Sequence, residues 1–232
     1  MNENRVTILL VEDDPEIRRF LRSSLTAEGY KLVESATARR GWIDAASHKP
    51  DLVILDLGFP DADGVKVIRH IRQWSPMPIV VLSARVQERS KIEALDAGAN
   101  DYVTKPFGVG ELLARVRVAL RHAVLGDTGQ NLLELGDATI DLVARKATRA
   151  GKPIHLTPIE FRLIACLAKN LGMVVTHRQL LIEIWGPTHE SHTHYLRIYM
   201  KQLRDKLESD SICPRHFLTE TGVGYRLVIG DE

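Results

Sequence analysis

Asp51-Leu52-Val53-Ile54-Leu55-Asp56-Leu57-Gly58-Phe59-Pro60 decides how the first half of this chain folds. Four consecutive apolar residues end in a carboxylate, and Gly58 and Pro60 turn the chain just beyond it. A short continuous apolar run bounded by turn residues reads as a strand buried on both faces. A carboxylate at the mouth of such a strand is costly unless a charged group meets it there. Three other runs end in the same manner: Ile8-Leu9-Leu10-Val11 before Glu12-Asp13-Asp14, Ile79-Val80-Val81-Leu82 before Ser83, and Tyr102-Val103-Thr104 before Lys105-Pro106. Each is followed by a helix-like stretch. In an open parallel α/β sheet the strand C-termini gather along one edge, where ligands bind. Glu12, Asp13, Asp56, Ser83 and Lys105 are therefore expected to meet.

Three carboxylates in one small space raise one another's pKa or call for a cation. An all-oxygen, incomplete cage suits Mg2+, which keeps several waters and binds one or two carboxylates plus phosphate oxygens. Such an ion would neutralise an incoming phosphoryl group and align it for in-line attack by an Asp56 oxygen. Lys105 supplies a point charge for the phosphate and Ser83 a hydroxyl donor. The product is an aspartyl phosphate. Lys105-Pro106, between a strand and a new helix, is a place for a cis peptide bond. Taken singly, these residues have ordinary roles, as helix N-terminal charges, a cap and a turn. The four together, after four different strands, favour a phosphoacceptor.

Residues 5–122 resemble the receiver domain of two-component response regulators. The stretches that carry the likeness are Leu10-Val11-Glu12-Asp13-Asp14, Asp51 to Leu57, Leu82-Ser83-Ala84 and Ala99-Asn100-Asp101-Tyr102-Val103-Thr104-Lys105-Pro106-Phe107. The resemblance implies a flavodoxin-like five-stranded parallel sheet of order 2-1-3-4-5 with helices on both faces; a receiver of this type is a standing example of that order. It implies that Asp56 takes phosphate from a sensor histidine kinase. Mg2+ would sit on Asp13, Asp56 and the Gly58 carbonyl, with Glu12 acting through water. Tyr102 would be the switch aromatic, turning inward as the Ser83 hydroxyl moves to the phosphate. Asn100 stands where an acid is commoner, which touches only a surface contact.

The 232 residues suit one large domain or two ordinary ones, and 44% hydrophobic with 26% charged residues is a globular composition. No apolar run approaches a membrane span. The start, Met1-Asn2-Glu3-Asn4-Arg5, runs into a strand without a visible signal. Cys166 and Cys213 are too few and too separated for a disulfide framework, which points to a reducing cytoplasm. The net charge is +1 and is close to balanced in both halves. Any DNA contact must therefore come from a local cluster.

The expected organisation is a receiver over 1–124, a linker over 125–131 and a second domain over 132–232. The linker is polar, glycine-bearing and without periodicity. Short strands are expected at Leu132–Leu135, Thr139–Asp141, Lys146–Arg149 and Ile154–Leu156. Thr157-Pro158-Ile159-Glu160 then reads as an N-cap, a first-position proline and an N3 glutamate. Its helix runs to Asn170, a second spans Thr176 to Trp185, and a third begins near Ser191 to His194 and ends near Glu208. A hairpin with a glycine-rich tip joins Phe217–Thr219 to Tyr225–Val228. The third helix has one apolar stripe, Leu196, Met200, Leu203 and Leu207. Thr193, His194, Arg197, Lys201, Gln202 and Arg204 stand elsewhere on it, as suits a major-groove reader. An ordinary solvated helix is the alternative, and Asp205 and Glu208 lean that way. His189, His192 and His194 are too loosely spaced to favour a zinc site.

Residues 132–230 resemble the winged helix-turn-helix effector of the OmpR/PhoB class, an α+β fold. The carrying stretches are Leu156 to Phe161, Gln179 to Trp185, Leu203-Arg204-Asp205-Lys206-Leu207 and Gly222-Val223-Gly224-Tyr225-Arg226. The resemblance implies major-groove entry by the third helix, an RNA polymerase contact by the 186–193 loop, and minor-groove reach by the hairpin, with Gly222 and Tyr225 at the DNA. Thr221 replaces the arginine many members carry there. Residues 155–165, 194–200 and 215–217, with Arg72-Gln73-Trp74-Ser75, resemble more narrowly the regulators of potassium-uptake operons.

Lys91, Asp96, Asp101, Glu111, Arg115, Arg117 and Arg121 put both signs of charge on one receiver face, which suits a self-complementary two-fold contact. In the family the implied pairs across a homodimer are Lys91 with Glu111, Asp96 with Arg117, and Asp101 with Arg115. The expected sequence is phosphorylation, receiver dimerisation, tight binding to paired half-sites and activation of transcription. The chain is not expected to be an enzyme. Two rivals remain: an aspartate-nucleophile phosphatase or phosphotransferase, for which Asp61, five residues beyond Asp56, is offered as second acid, and a phosphorylation-independent repressor.

Overall fold

The computed structural model describes residues 5–84, 87–125, 132–187 and 193–229, with only the backbone of 122–125. The chain forms two compact units, Met1–Val124 and Leu125–Glu232.

The first unit alternates strand and helix. Its elements are β1 Thr7–Val11, α1 Pro15–Ala27, β2 Lys31–Ser35, α2 Ala38–His48, β3 Leu52–Asp56, α3 Gly64–Arg72, β4 Ile79–Ser83, α4 Glu88–Asp96, β5 Asp101–Thr104 and α5 Val109–Leu125. All five strands are parallel, in the order β2-β1-β3-β4-β5. β3 and β4 are buried at every residue. That is why their sequences are unbroken apolar runs: parallel strands covered by helices on both faces have no solvent side to mark with polar residues. β2, at the edge, starts with an exposed residue and alternates less cleanly. The register sets Val11 beside Leu55, Asp56 beside Leu82 and Ser83 beside Thr104. The polar residues that end the runs therefore share one edge.

Local signals start the helices. Asp14 caps α1 by accepting from the Glu16 and Ile17 amides, with Pro15 at the first position. Thr37 caps α2 and Asp63 caps α3. Gly64 begins α3 against the end of β3 itself. A Cβ there would lie 2.6 Å from both the Asp56 carbonyl oxygen and Leu57 Cα, a backbone contact that only glycine permits. One sheet-face core gathers Ile8, Leu10, Ile54, Val80, Leu82 and Val103 with Leu21, Leu25, Leu112 and Val116.

The second unit begins with an antiparallel sheet, β6 Leu132–Leu135, β7 Ala138–Asp141, β8 Lys146–Arg149 and β9 Lys152–Ile154. Next come α6 Pro158–Lys169, β10 Val174–Thr176, α7 His177–Trp185, α8 Thr193–Leu207, β11 Phe217–Glu220 and β12 Gly224–Leu227. Capping boxes open α6 (Thr157 with Glu160) and α7 (Thr176 with Gln179). β10, β12 and β11 form a three-stranded sheet with β12 in the middle. The three helices bury Leu163, Leu167, Leu180, Ile184, Leu196, Met200 and Leu203 around Phe217.

Three expectations shift. The fourth short strand lies at Lys152–Ile154 rather than Ile154–Leu156, because its register is set by pairing Arg149 with Lys152 across a tight turn. α5 continues to Leu125. No strand is expected between the first two helices of this unit, yet Val174–Thr176 form β10, because β12 pairs with them. Both cysteines are free; Cys166 is buried, which pushes its thiol up to about 11. Among the described residues, no helix is long and apolar enough to cross a membrane. The expected linker, apart from Leu125, lies outside the described residues.

Candidate functional site

At the C-terminal edge of the parallel sheet, one oxygen from each of Glu12, Asp13 and Asp56 lies within 4.8 Å of the others. Glu12 and Asp56 are buried. Lys105 bridges them: its Nζ donates to Glu12 Oε2 at 2.7 Å and to Asp56 Oδ2 at 2.6 Å. The other Asp56 oxygen, Oδ1, accepts from the Leu57 amide at 2.5 Å and the Gly58 amide at 3.1 Å. Lys105 is held in turn by its own amide, which donates to the Ser83 carbonyl at 2.8 Å. The Lys105-Pro106 bond is cis. Arg18, from α1, donates to the Glu12 and Asp13 carbonyls and braces the acidic turn from behind. Ser83 and Tyr102 are both buried, so the tyrosine ring is turned inward in this structure.

Charge decides the chemistry. Burial raises the Glu12 carboxyl above its ordinary value, and neighbouring Asp56 raises it further, although Lys105 pulls the other way. Burial alone would lower Lys105, but hydrogen bonds and attraction from Asp56 and Glu12 outweigh it and hold the ammonium above its usual range. Three carboxylates thus face one ammonium. The excess negative charge and the all-oxygen donor set fit a hard divalent cation.

Asp61 is not free for acid–base work. Its carboxylate accepts from the Ala38 amide at 3.1 Å and the Arg39 amide at 3.0 Å, at the start of α2. Those amide bonds hold its carboxyl below the usual range. The loop after Asp56 is thereby tied to a helix more than twenty residues away, a contact with no signal in the sequence. The second acid offered for the phosphatase rival is thus engaged by backbone amides.

On the β5–α5 side of the first unit, Arg115 donates to Asp101 Oδ2 at 2.8 Å and to Glu111 Oε1 at 2.8 Å within the same chain. The Asp101–Arg115 pair expected between protomers is therefore formed inside one, because α5 lays Arg115 over β5 one turn from Glu111. Arg117 is exposed, and Lys91 and Asp96 are partly so. Asn100 proves half-buried rather than a surface contact: its Oδ1 accepts from Arg72 Nη2 and from the Ile79 amide.

In the second unit, Leu196, Met200, Leu203 and Leu207 are the buried stripe of α8, as expected. His194, Arg197, Lys201 and Gln202 are exposed, and Thr193 is half-buried. Two of the expected DNA-facing residues are placed otherwise. Arg204 donates through Nε to the Phe217 carbonyl at 2.9 Å and through Nη2 to Thr219 Oγ1 at 2.7 Å, with its guanidinium over the Tyr225 ring. Tyr225 is only 4% exposed and packs edge-on against His177. Both side chains fasten α8 to the β11–β12 hairpin. No short stretch of sequence shows this, because the hairpin's approach is a tertiary fact. Gly222, at φ +73°, forms the hairpin tip. A cleft of about 300 Å³ opens between helix and hairpin, lined by Arg197, Lys201, Arg204, Thr221, Gly222 and Thr219. Of the 186–193 loop only its ends fall among the described residues; His189 and His192 lie outside them. Among the described residues, the acidic triad is the one cluster with metal-ligand geometry.

The comparisons agree with this two-part geometry. Residues 8–117 match the family described as response regulator receiver domain, and residues 151–227 that described as transcriptional regulatory protein, C terminal. The chain is 55% identical over 222 residues, 96% of its length and 99% of the relative's, to the KDP operon transcriptional regulatory protein of Escherichia coli K12. It is 46% identical to the corresponding regulator of Mycobacterium tuberculosis H37Rv, over 94% of this chain and 97% of that one. Among solved structures, the signal receiver domain of a LuxO-type repressor from Vibrio parahaemolyticus is similar, with 29% identity and a TM-score of 0.51. That match covers 53% of this chain and 96% of that domain.

Proposed function

Because this chain belongs to the OmpR/PhoB class of response regulators, we propose that Asp56 accepts a phosphoryl group from a sensor histidine kinase and that the acyl phosphate switches on DNA binding. The observation that carries this is Lys105 and three carboxylates converging on one sheet edge, in a chain whose other unit carries an exposed basic helix. In the proposed organisation, residues 1–124 are the phosphoacceptor, 125–131 the linker and 132–232 the DNA reader.

Asp13, Asp56, the Gly58 carbonyl and, through water, Glu12 would hold Mg2+. When bound, the ion supplies charge neutralisation and in-line alignment of the phosphoryl group. An Asp56 oxygen forms the new P–O bond as the P–N bond of the phosphohistidine breaks, and the kinase imidazole leaves. The Leu57 and Gly58 amides orient the carboxylate. Lys105 then exchanges its carboxylate contact for a phosphate oxygen, and Ser83 donates to another. The serine hydroxyl, drawn to the phosphate, locks Tyr102 in its inward position, and the face made by α4, β5 and α5 changes. That face dimerises, and two readers occupy paired half-sites with the gain that linkage gives. The relatives' name supports a target operon of the Kdp type; the resemblance to regulators of potassium-uptake operons extends the proposal to potassium uptake, and that to the OmpR/PhoB class to activation through an RNA polymerase contact at residues 186–193. The protein acts in the cytoplasm as a regulator rather than as an enzyme with its own substrate.

The test is incubation with Mg2+ and acetyl phosphate, read by intact mass and elution volume. The wild type gains one phosphate mass and shifts toward dimer, and Asp56→Asn does neither. A gain in neither protein would leave a constitutive DNA binder as the better account.

A further inference from the structure

We infer that Ile198 is the residue at the centre of the reading face of α8 and that it recognises the methyl group of a thymine. The inference rests on the DNA-reading role proposed above for that helix. Leu196, Met200, Leu203 and Leu207 seat α8 on its domain. At 3.6 residues per turn, a residue two positions from both Leu196 and Met200 points about opposite that stripe. Ile198 is that residue. His194, Tyr195, Lys201 and Gln202 surround it at helical spacings of four, three, three and four, and all are exposed. In a helix seated by one stripe, the line opposite enters a major groove deepest.

Ile198 is 41% open to solvent. Nothing in the fold requires an apolar side chain there, and a β-branched residue slightly lowers helix propensity. Single exposed apolar residues are ordinary on any surface. Ile198 differs by position: it stands at the midpoint of the outward line, between residues that carry hydrogen-bonding and charged groups. Isoleucine offers no donor or acceptor, so it cannot read the polar edges of a base pair. The complementary feature in the major groove is the thymine C5-methyl, which no other base carries. Lys201 and Gln202 remain for neighbouring polar edges and phosphates. Arg204 is committed to the hairpin, so the apolar contact takes a larger share of the discrimination.

The test uses the full-length chain treated with acetyl phosphate and Mg2+, and a random-sequence DNA duplex pool. After selection, duplexes are remade with deoxyuridine, which lacks only that methyl, at each thymine in turn. Binding is measured for wild type and Ile198→Ala, with thermal melting as the folding control. At one thymine per half-site, deoxyuridine should weaken the wild type about three- to five-fold, the value of one buried methyl-sized group. It should leave Ile198→Ala unchanged. Loss of the methyl without effect at every position, or with equal effect on both proteins, would overturn the assignment. Failure of both proteins to enrich any duplex would overturn the DNA-reading role of α8, and this inference with it.

Discussion

Glu12 is buried beside another carboxylate, and its state sets the stability of the metal-free pocket. Its carboxyl is raised in the folded chain, so folding favours the protonated form. Any stability it lends is present below the ordinary carboxylate value near 4.5 and is lost as pH rises through the raised one. Once ionised, the group opposes folding. Glu12→Gln should therefore raise the melting temperature of the first unit in metal-free buffer, by about 1 kcal/mol of stability, while weakening its stabilisation by Mg2+. Thermal melting with and without the ion checks both halves; an unchanged melt in chelator would refute the charge argument. Arg72 makes a similar case. Its guanidinium donates to the Gly98, Ser75 and Met77 carbonyls and to Asn100 Oδ1, all neutral acceptors, and burial lowers it to about 10. Asn100→Asp supplies a counter-ion without moving an atom. It should raise the denaturant midpoint by about 1 kcal/mol of stability, and a lower midpoint would show that the carboxylate is not tolerated there.

At the scale of elements, Glu160 ties two helices. It accepts from the Thr157 amide as part of the α6 capping box and from Lys206 Nζ, on α8, at 2.7 Å. Burial works to raise its carboxyl, but Lys206 and Thr157 prevail and hold it below the ordinary value. The stability it contributes is thus fully present above about 4.5 and is lost as pH falls through the lowered value. Lys206→Met leaves a buried carboxylate with only its capping partners. It should cost about 2 kcal/mol, less than for a fully buried pair because the lysine is partly solvated, and should flatten the acid limb of the second unit's stability curve. Urea melts across the acidic range measure both. The two capping boxes were readable in advance, since every group in them lies within four residues. β10 was not, because its three residues have no pattern of their own and pair only with β12, some fifty residues later.

For the whole molecule, the two units have separate cores, so perturbations should sort between two unfolding transitions. Gly64→Ala puts a Cβ 2.6 Å from the backbone of Asp56 and Leu57. Strain of that kind typically costs about 1–3 kcal/mol. In scanning calorimetry of the full chain it should lower one transition, abolish phosphate uptake, and leave the other transition in place. A shift of both together would mean that the units unfold as one.

The sequence by itself determined the parallel sheet, the convergence of Glu12, Asp13, Asp56 and Lys105, and the buried stripe of α8. These depend on burial on both faces of strands, on helical periodicity and on the rule that strand ends share an edge, all of which are written locally. Only the tertiary structure decided where long side chains go. Arg115 pairs with Asp101 inside one chain, Arg204 and Tyr225 fasten a helix to a hairpin, and Asp61 caps a helix that precedes it. The cause is common to all of them. An arginine or aspartate takes the nearest satisfying partner in space, and that partner is set by how distant elements pack, which no short stretch of sequence encodes.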